Sequence, residues 1–184
     1  MIQILAVIIR ILWLVIEVPY LRRFRVPEAQ DWDKRSALLW DIANAVEVVG
    51  LVFALVGFGS ISLPQFISIL ALLVLLSGIL IRFIAIRTLG RFFTCVVTIR
   101  TDQRIVDTGL YKYVRHPSYT GALLAHAGLG LAFGSWISLA LSTIPFLIAA
   151  LYRMRVEEAA LKEVFGDEYS RYVEHTERLI PGIF

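Results

Sequence analysis

Long apolar blocks separated by shorter polar connections make up most of this chain. A helix needs about 20 mainly apolar residues to cross the hydrocarbon core of a bilayer, and five blocks approach that length. We therefore predict five membrane helices, at about 1–20, 37–58, 63–86, 119–133 and 136–152. Only "GSW" joins the fourth block to the fifth, which predicts a tight antiparallel hairpin.

The composition agrees with an all-α integral membrane protein. Hydrophobic residues make up 58% of the 184 positions, and the mean hydropathy is +0.74. Soluble domains contain roughly 45–50% apolar residues. The single cysteine, Cys95, excludes an intrachain disulfide. The first 20 residues lack the basic segment and the small-residue cleavage site of a removable signal peptide, so we expect none.

Lysine and arginine are distributed unevenly among the connections. Five lie in 21–36, six in 87–118 and five after Tyr152, whereas 59–62 and 134–135 hold none. Cytoplasmic loops of membrane proteins carry an excess of these residues. The basic connections and the C-terminus are therefore predicted to be cytosolic, and the N-terminus to lie outside.

Five ionisable residues lie within the apolar blocks, where a charge is costly and often functional: Arg10, Glu17, Asp41, Glu47 and Arg82. We expect Arg10 and Glu17 to pair or to reach the membrane surface, and Arg82 to lie near a cytosolic end. Asp41, Asn44 and Glu47 share one helix face, which either borders a polar cavity or serves helix packing.

Segment 87–118 is the longest predicted connection. Its "FFTCVVTI", "TDQ" and "RIVD" predict a short β-hairpin on the membrane surface. Pro117 suits the first turn of the next helix, whose free N–H groups would bind an acidic ligand group beside Arg115 and His116. The alternative is that Arg115 anchors the chain at the interface and His116 only precedes the helix.

A second charged cluster follows the fifth block, in "YRMRVEEAALKEVFGDEYSRYVEHTERLIPG". Its periodicity predicts that the fifth helix continues to Gly166 and that a C-terminal amphipathic helix follows, ended by Pro181. The two blocks of the hairpin are each about 24 Å long, so their far ends return to one level. "RHPSY" and "RMRVEE" should therefore meet at the cytosolic surface.

Three stretches, "DTGLYKYVRHPSYTG", "RVEEAALKEVFGDEYSRY" and a terminal "IPG", resemble the isoprenylcysteine carboxyl methyltransferase family. They also resemble the related phospholipid and small-thiol methyltransferases of membranes. The resemblance covers about residues 88–184. We accordingly divide the chain into a three-span membrane region, 1–86, and a catalytic region, 87–184.

The resemblance implies that S-adenosylmethionine binds in a cytosolic pocket of the C-terminal half. The family's cofactor positions and its R…EE motif can be carried onto this chain residue by residue. The implied cofactor contacts are Gln103, Arg104, Ile105, Val106, Tyr111, His116, Pro117, Ser118, Tyr119 and Glu157, and the implied catalytic residues are Arg153 and Glu158. Some relatives have a histidine in the stretch that reads "DQRIV" here.

The chemistry of methyl transfer then suggests roles for these residues. The sulfonium is already activated, so the protein mainly aligns donor and acceptor for in-line displacement. Arg153 would hold a carboxylate acceptor, such as that of a prenylated cysteine, and no base is needed. Glu157 or Glu158 would bind the amino end of the cofactor or orient Arg153. A phospholipid amine or a small thiol would instead require a Glu or Tyr base.

Two other classes of protein share some of these features. An NADPH-dependent membrane sterol or enone reductase has a similar RHP-x-Y region, although this chain has no Rossmann glycine pattern. A non-catalytic transporter or scaffold would explain the polar stripe, although no inverted repeat accompanies it. We expect no metal site, because His116, His126 and His175 are scattered, and no nucleic-acid partner.

Overall fold

Six helices form the fold of the computed structural model, which describes residues 1–22, 35–94, 97–100 and 102–184. The helices are α1 Ile2–Arg22, α2 Ser36–Leu55, α3 Gln65–Leu89, α4 Pro117–Ala132, α5 Trp136–Phe165 and α6 Asp167–Glu174. The basic residues Arg23, Arg25 and Lys34 of the first predicted connection, and also Cys95, lie outside the described residues.

The first five helices coincide with the five predicted blocks, which confirms their positions. α1, α2, α3 and α5 are long and apolar enough to cross a membrane. α4 has 16 residues, about 24 Å, which is shorter than a typical hydrocarbon core of about 30 Å. A count of five spans therefore stays a prediction. α5 has 30 residues, about 45 Å, and its last third carries the second charged cluster.

Two predictions for the C-terminal half differ from the structure. The described residues between 92 and 106 form no strand, because their apolar side chains pack against α5, with Val97 beside Val156 and Ala160. The helix after Gly166 ends at Glu174 and does not continue toward Pro181. The chain beyond it instead hydrogen-bonds to the backbone that precedes α4.

The backbones of α3 and α4 approach each other closely. A Cβ atom on Gly78 would lie 2.5 Å from the carbonyl oxygen of Gly121, and one on Gly121 would lie 2.5 Å from the amide nitrogen of Arg82. Small residues allow such an approach, and van der Waals packing then holds the helices together in a membrane. α4 also packs on α5, and α2 lies along α5.

Buried polar contacts join α1 to other helices, in addition to the apolar core that α1 shares with them. Arg10 donates to Glu47 and Asn44 on α2, both at 2.9 Å, and the second oxygen of Glu47 contacts His126. Glu17 accepts from Arg82 on α3 at 2.6 Å. The prediction that Arg10 and Glu17 pair or reach the surface is therefore wrong, because each faces an opposite charge on another helix.

The two connections without lysine or arginine lie together at one end of the helices. The Ile61 amide donates to the Gly134 carbonyl at 2.8 Å, and the Trp136 amide donates to the Gly59 carbonyl at 3.1 Å. Gly134 has a φ of +62°, which permits the tight turn between α4 and α5. Residues 35–36, the described parts of the connection before α4 (90–94, 97–100 and 102–116) and the C-terminus lie toward the opposite end.

We predict that Gly78→Ala destabilises the protein by about 1–3 kcal/mol, because the new Cβ forces α3 and α4 apart. The midpoint of thermal unfolding in detergent micelles measures the effect. The matched control is Ser77→Ala, since Ser77 is exposed and its hydroxyl bonds only the Val74 carbonyl of its own helix. Equal midpoints for the two variants would contradict the close approach of the helices.

Candidate active site

The two clusters marked by the sequence meet where α4 begins and α5 leaves its apolar part. His116 Nε2 lies 3.2 Å from Glu158 Oε1. The Tyr119 hydroxyl donates to Glu157 at 2.9 Å and accepts from Arg153 Nε at 3.0 Å. The predicted meeting of "RHPSY" with "RMRVEE" is therefore confirmed.

A cavity of about 50 Å³ lies at this meeting point. α4 and the residue before it supply one wall, α5 a second, and the segments before α4 a third. Its polar lining residues are Thr94, Thr98, Gln103, Tyr111, Arg115, His116, Ser118, Tyr119, Arg153 and Glu157. Six of the ten predicted cofactor contacts therefore lie on one cavity.

The other four predicted contacts lie away from this cavity. Arg104 is exposed, with its guanidinium 5.5 Å from the centre of the Phe92 ring. Ile105 and Val106 are partly buried but do not line the cavity. Gln103 therefore lines the cavity while the residue next to it, Arg104, does not. Pro117 is buried in the first turn of α4.

Three residues that line the cavity each have a buried polar atom without a hydrogen-bond partner: Thr98 Oγ1, Gln103 Oε1 and the Tyr111 hydroxyl. Each such atom costs about 1–3 kcal/mol. Burial and the nearby charge of Glu157 raise the pKa of Tyr111 well above its ordinary value, so its hydroxyl remains a donor. The cavity therefore offers unused donors and acceptors to a polar ligand.

Glu158 faces away from the cavity, although its neighbour Glu157 lines it. Its carboxylate accepts from Arg115 Nε at 3.2 Å and from Arg178 Nη2 at 2.7 Å, in addition to the contact with His116. These partners already satisfy its oxygens. Arg178 was missed at the sequence level because nothing in "TERLIPG" indicates that the chain returns to α5.

A second cavity, of about 600 Å³, lies among the membrane-embedded parts of the helices. One face of α2 lines it from Ala37 to Val48, a length of about 17 Å. Asp41 and Asn44 border this cavity, so the polar stripe of α2 does face one. Opposite this face lie residues of the other helices: Arg10, Trp13, Leu14, Glu17, Val18, Arg82, Tyr119, His126 and Arg153.

The two cavities share part of their walls. Phe93, Thr94, Tyr119 and Arg153 line both, so the hydrogen bond between Arg153 and Tyr119 lies at their junction. This position lies between a polar cavity at one end of the helices and a larger cavity at membrane depth.

The larger cavity opens between α1 and α2. Leu14, Val18 and Val48 line it and are also exposed, at 43%, 42% and 57%. They belong to the two helices that flank the gap. Among the described residues, this gap is therefore where the larger cavity reaches the outer surface of the helices.

Among the residues that the structure describes, no three His, Cys, Asp or Glu side chains group together as a metal ligand set would.

Comparison with known proteins identifies the family. Residues 66–168, more than half of the chain, match the family described as phospholipid methyltransferase. The chain belongs to this family. The matched range contains nearly all of α3, all of α4 and α5, the first charged cluster and the first part of the second, and it includes every residue that lines the smaller cavity.

Individual relatives agree with the resemblance found in the sequence. Protein-S-isoprenylcysteine O-methyltransferase B of Arabidopsis thaliana is 30% identical over 145 residues, which cover 77% of this chain and 73% of that protein. Methanethiol S-methyltransferase 1 of Bradyrhizobium diazoefficiens is 37% identical over 82 residues, 44% of this chain and 27% of that protein. The similarity to isoprenylcysteine carboxyl methyltransferases is thereby confirmed.

A solved structure of a eukaryotic intramembrane Ras methyltransferase, an isoprenylcysteine carboxyl methyltransferase, is similar in fold. It matches with a TM-score of 0.67 at 26% identity, over 78% of this chain. This chain spans about half (52%) of the length of that protein. The match extends beyond the residues that carry the sequence motifs, so the shared architecture includes the N-terminal helices in part.

We predict that Tyr111→Phe raises the stability of the ligand-free protein by about 1 kcal/mol, because it removes a buried hydroxyl without a partner. Thermal unfolding in detergent without added ligand measures the effect. The matched control is Tyr172→Phe, which should lower stability because the Tyr172 hydroxyl donates to the Tyr111 carbonyl at 2.8 Å. A loss of stability in Tyr111→Phe would show that its hydroxyl has a partner after all.

Proposed function

We propose that this protein is an S-adenosylmethionine-dependent methyltransferase of the membrane that acts on a lipophilic acceptor. The acceptor group is the carboxylate of a prenylated cysteine or a similar lipid-borne group. One observation carries the proposal: a polar cavity and a membrane-level cavity meet at Tyr119 and Arg153. A reaction between a soluble cofactor and a lipid requires such a junction.

The smaller cavity suits the cofactor. S-adenosylmethionine supplies a methyl group on an already activated sulfonium. Thr98, Gln103 and Tyr111 offer the unpaired polar atoms that a nucleoside would satisfy. Glu157 faces the cavity with its carboxylate 3.8 Å from His116 Nδ1, and an ammonium group would fit beside both. Of the two adjacent glutamates, Glu157 is thus assigned to the cofactor.

The cofactor needs more room than the cavity now has. A volume of about 50 Å³ holds only a few water molecules. Phe93 and Thr94 separate the two cavities, and displacement of their side chains would join the smaller space to the larger one. Binding is therefore expected to move the segment that follows α3.

Arg153 is assigned to the acceptor. It lies at the junction, where its guanidinium can hold a carboxylate through charge-assisted hydrogen bonds. An ionised carboxylate is nucleophilic and needs no base, and alignment with the sulfonium methyl then suffices. The raised pKa of Tyr111 makes this residue a poor base. A thiol or amine acceptor would have to use Glu157 for deprotonation.

The lateral opening between α1 and α2 supports a lipid-borne acceptor. Its apolar tail would remain in the gap or in the bilayer while its polar group reaches Arg153. The concentration of lysine and arginine at the same end of the helices favours a cytosolic location for the smaller cavity and an outside N-terminus. The cofactor would then bind from the cytosol.

We predict that the purified protein binds S-adenosylhomocysteine and that Glu157→Gln weakens this binding at least tenfold, because the charge beside the amino group is lost. Isothermal titration calorimetry in detergent measures the affinity. Glu163→Gln is the matched control, as Glu163 is exposed on the same helix. Binding of NADPH without binding of S-adenosylhomocysteine would sink the methyltransferase proposal.

We predict that Arg153→Lys lowers kcat/KM for N-acetyl-S-farnesylcysteine by more than tenfold, because lysine cannot hold a carboxylate through two parallel hydrogen bonds. The affinity for S-adenosylhomocysteine should change much less. Transfer of labelled methyl groups measures turnover, and Lys162→Ala, an exposed site on α5, is the control. Equal losses of cofactor affinity and acceptor turnover would argue against an acceptor role.

A further inference from the structure

The C-terminal segment, residues 175–184, pairs with the backbone that leads into α4. The Arg115 amide donates to the Glu177 carbonyl at 2.7 Å, and the His116 amide donates to the Arg178 carbonyl at 3.0 Å. These bonds leave the two segments side by side over a few residues. The residues at the mouth of the smaller cavity are thus held by the end of the chain.

Further contacts extend this pairing on both sides. The Thr120 hydroxyl, one turn into α4, donates to the Leu179 carbonyl at 2.8 Å. On the other side, the Arg115 guanidinium contacts the Thr176 carbonyl. Leu179 is buried among residues of α4 and α5. The segment is therefore packed into the protein and is not a loose tail.

Glu158 joins the same two segments through its side chain. Arg178 donates to both oxygens of this carboxylate, with Nε at 3.1 Å and Nη2 at 2.7 Å. Arg115 and His116 approach the first oxygen at 3.2 Å. The Glu158 side chain is only 14% exposed, so water and salt screen these contacts less than they would a surface ion pair.

The His116 ring connects this cluster with the cavity. Its Nε2 faces Glu158 and its Nδ1 faces Glu157, and the ring is only 3% exposed. The hydrogen bond at one ring nitrogen of a histidine fixes the orientation of the ring and decides whether the other nitrogen carries a proton. Glu158 therefore determines how the Nδ1 edge of His116 meets a ligand.

We infer that Arg178 is a positioning residue of the cofactor site: it holds Glu158, and Glu158 orients the His116 ring toward the smaller cavity. The identity of the ligand in this inference rests on the proposed function. The contacts among Arg178, Glu158 and His116 are independent of that proposal. Glu158 accordingly acts through His116 and does not touch the reacting groups. The C-terminal segment becomes part of the binding site.

The first test compares Arg178→Ala with Arg171→Ala, which removes the same charge from an exposed position on α6. Arg178→Ala should weaken S-adenosylhomocysteine binding about tenfold, the loss expected from a charged hydrogen-bond pair. Arg171→Ala should bind like the wild-type protein. Arg178→Lys keeps the charge but loses the bidentate hydrogen bonding to Glu158. Its affinity for S-adenosylhomocysteine should therefore lie between those of the wild type and Arg178→Ala.

A double-mutant cycle separates positioning from general destabilisation. In a His116→Ala background, Arg178→Ala should weaken binding less than twofold, because the ring through which it acts is gone. Full additivity of the two substitutions would overturn the inference.

Hydrogen–deuterium exchange gives a readout that does not depend on the ligand. Peptides covering 113–118 should exchange faster in Arg178→Ala than in Arg171→Ala, since the Arg115 and His116 amides bond to a segment that the Arg178 side chain helps to hold in place. Unchanged exchange would overturn the positioning role. Faster exchange in a protein that fails to bind S-adenosylhomocysteine would retain the positioning role and reject the proposed function instead.

Discussion

A charge at membrane depth must be paired, and this constraint organises the N-terminal half of the protein. Arg10, Glu17, Glu47 and Arg82 each contact an opposite charge on a different helix. Leaving one of them alone would cost far more than an unpaired surface charge. The pairs therefore dock α1 onto α2 and α3. They also leave a polar-walled space between the helices, because the side chains that bridge the gap keep the backbones apart.

In the proposed function, this space lets a single site receive both a water-soluble cofactor and a lipid-borne acceptor. α3 and α4 are brought together by glycines, and α2 lies along α5, whereas the Arg10 side chain links α1 to Glu47 and Asn44 on α2. An opening toward lipid lies between α1 and α2. The smaller cavity lies at the end of the helices where the basic residues are concentrated. Tyr119 and Arg153 mark the border between the two environments.

The adjacent residues Glu157 and Glu158 show how a helix directs two identical side chains toward different surroundings. They are about 100° apart around α5, so their carboxylates meet different groups, and the neighbour they share, the His116 ring, turns a different nitrogen to each. Glu157 meets Tyr119 and the cavity, whereas Glu158 meets Arg115, His116 and Arg178 on the opposite side of the wall. One is available to a ligand, and the other holds the wall that the ligand contacts.

The sequence by itself determined the helix positions, the meeting of the two charged clusters and six of the residues that line the smaller cavity. The length of each apolar block, and the equal lengths of the two blocks of the hairpin, can be read directly along the chain. It did not determine the partners of Arg10, Glu17 and Arg82, the direction of Arg104, or the role of Arg178. Those depend on which helix faces lie opposite each other and on where the chain returns. Only the packed structure fixes these relations, because side chains distant in sequence compete there for the same few partners.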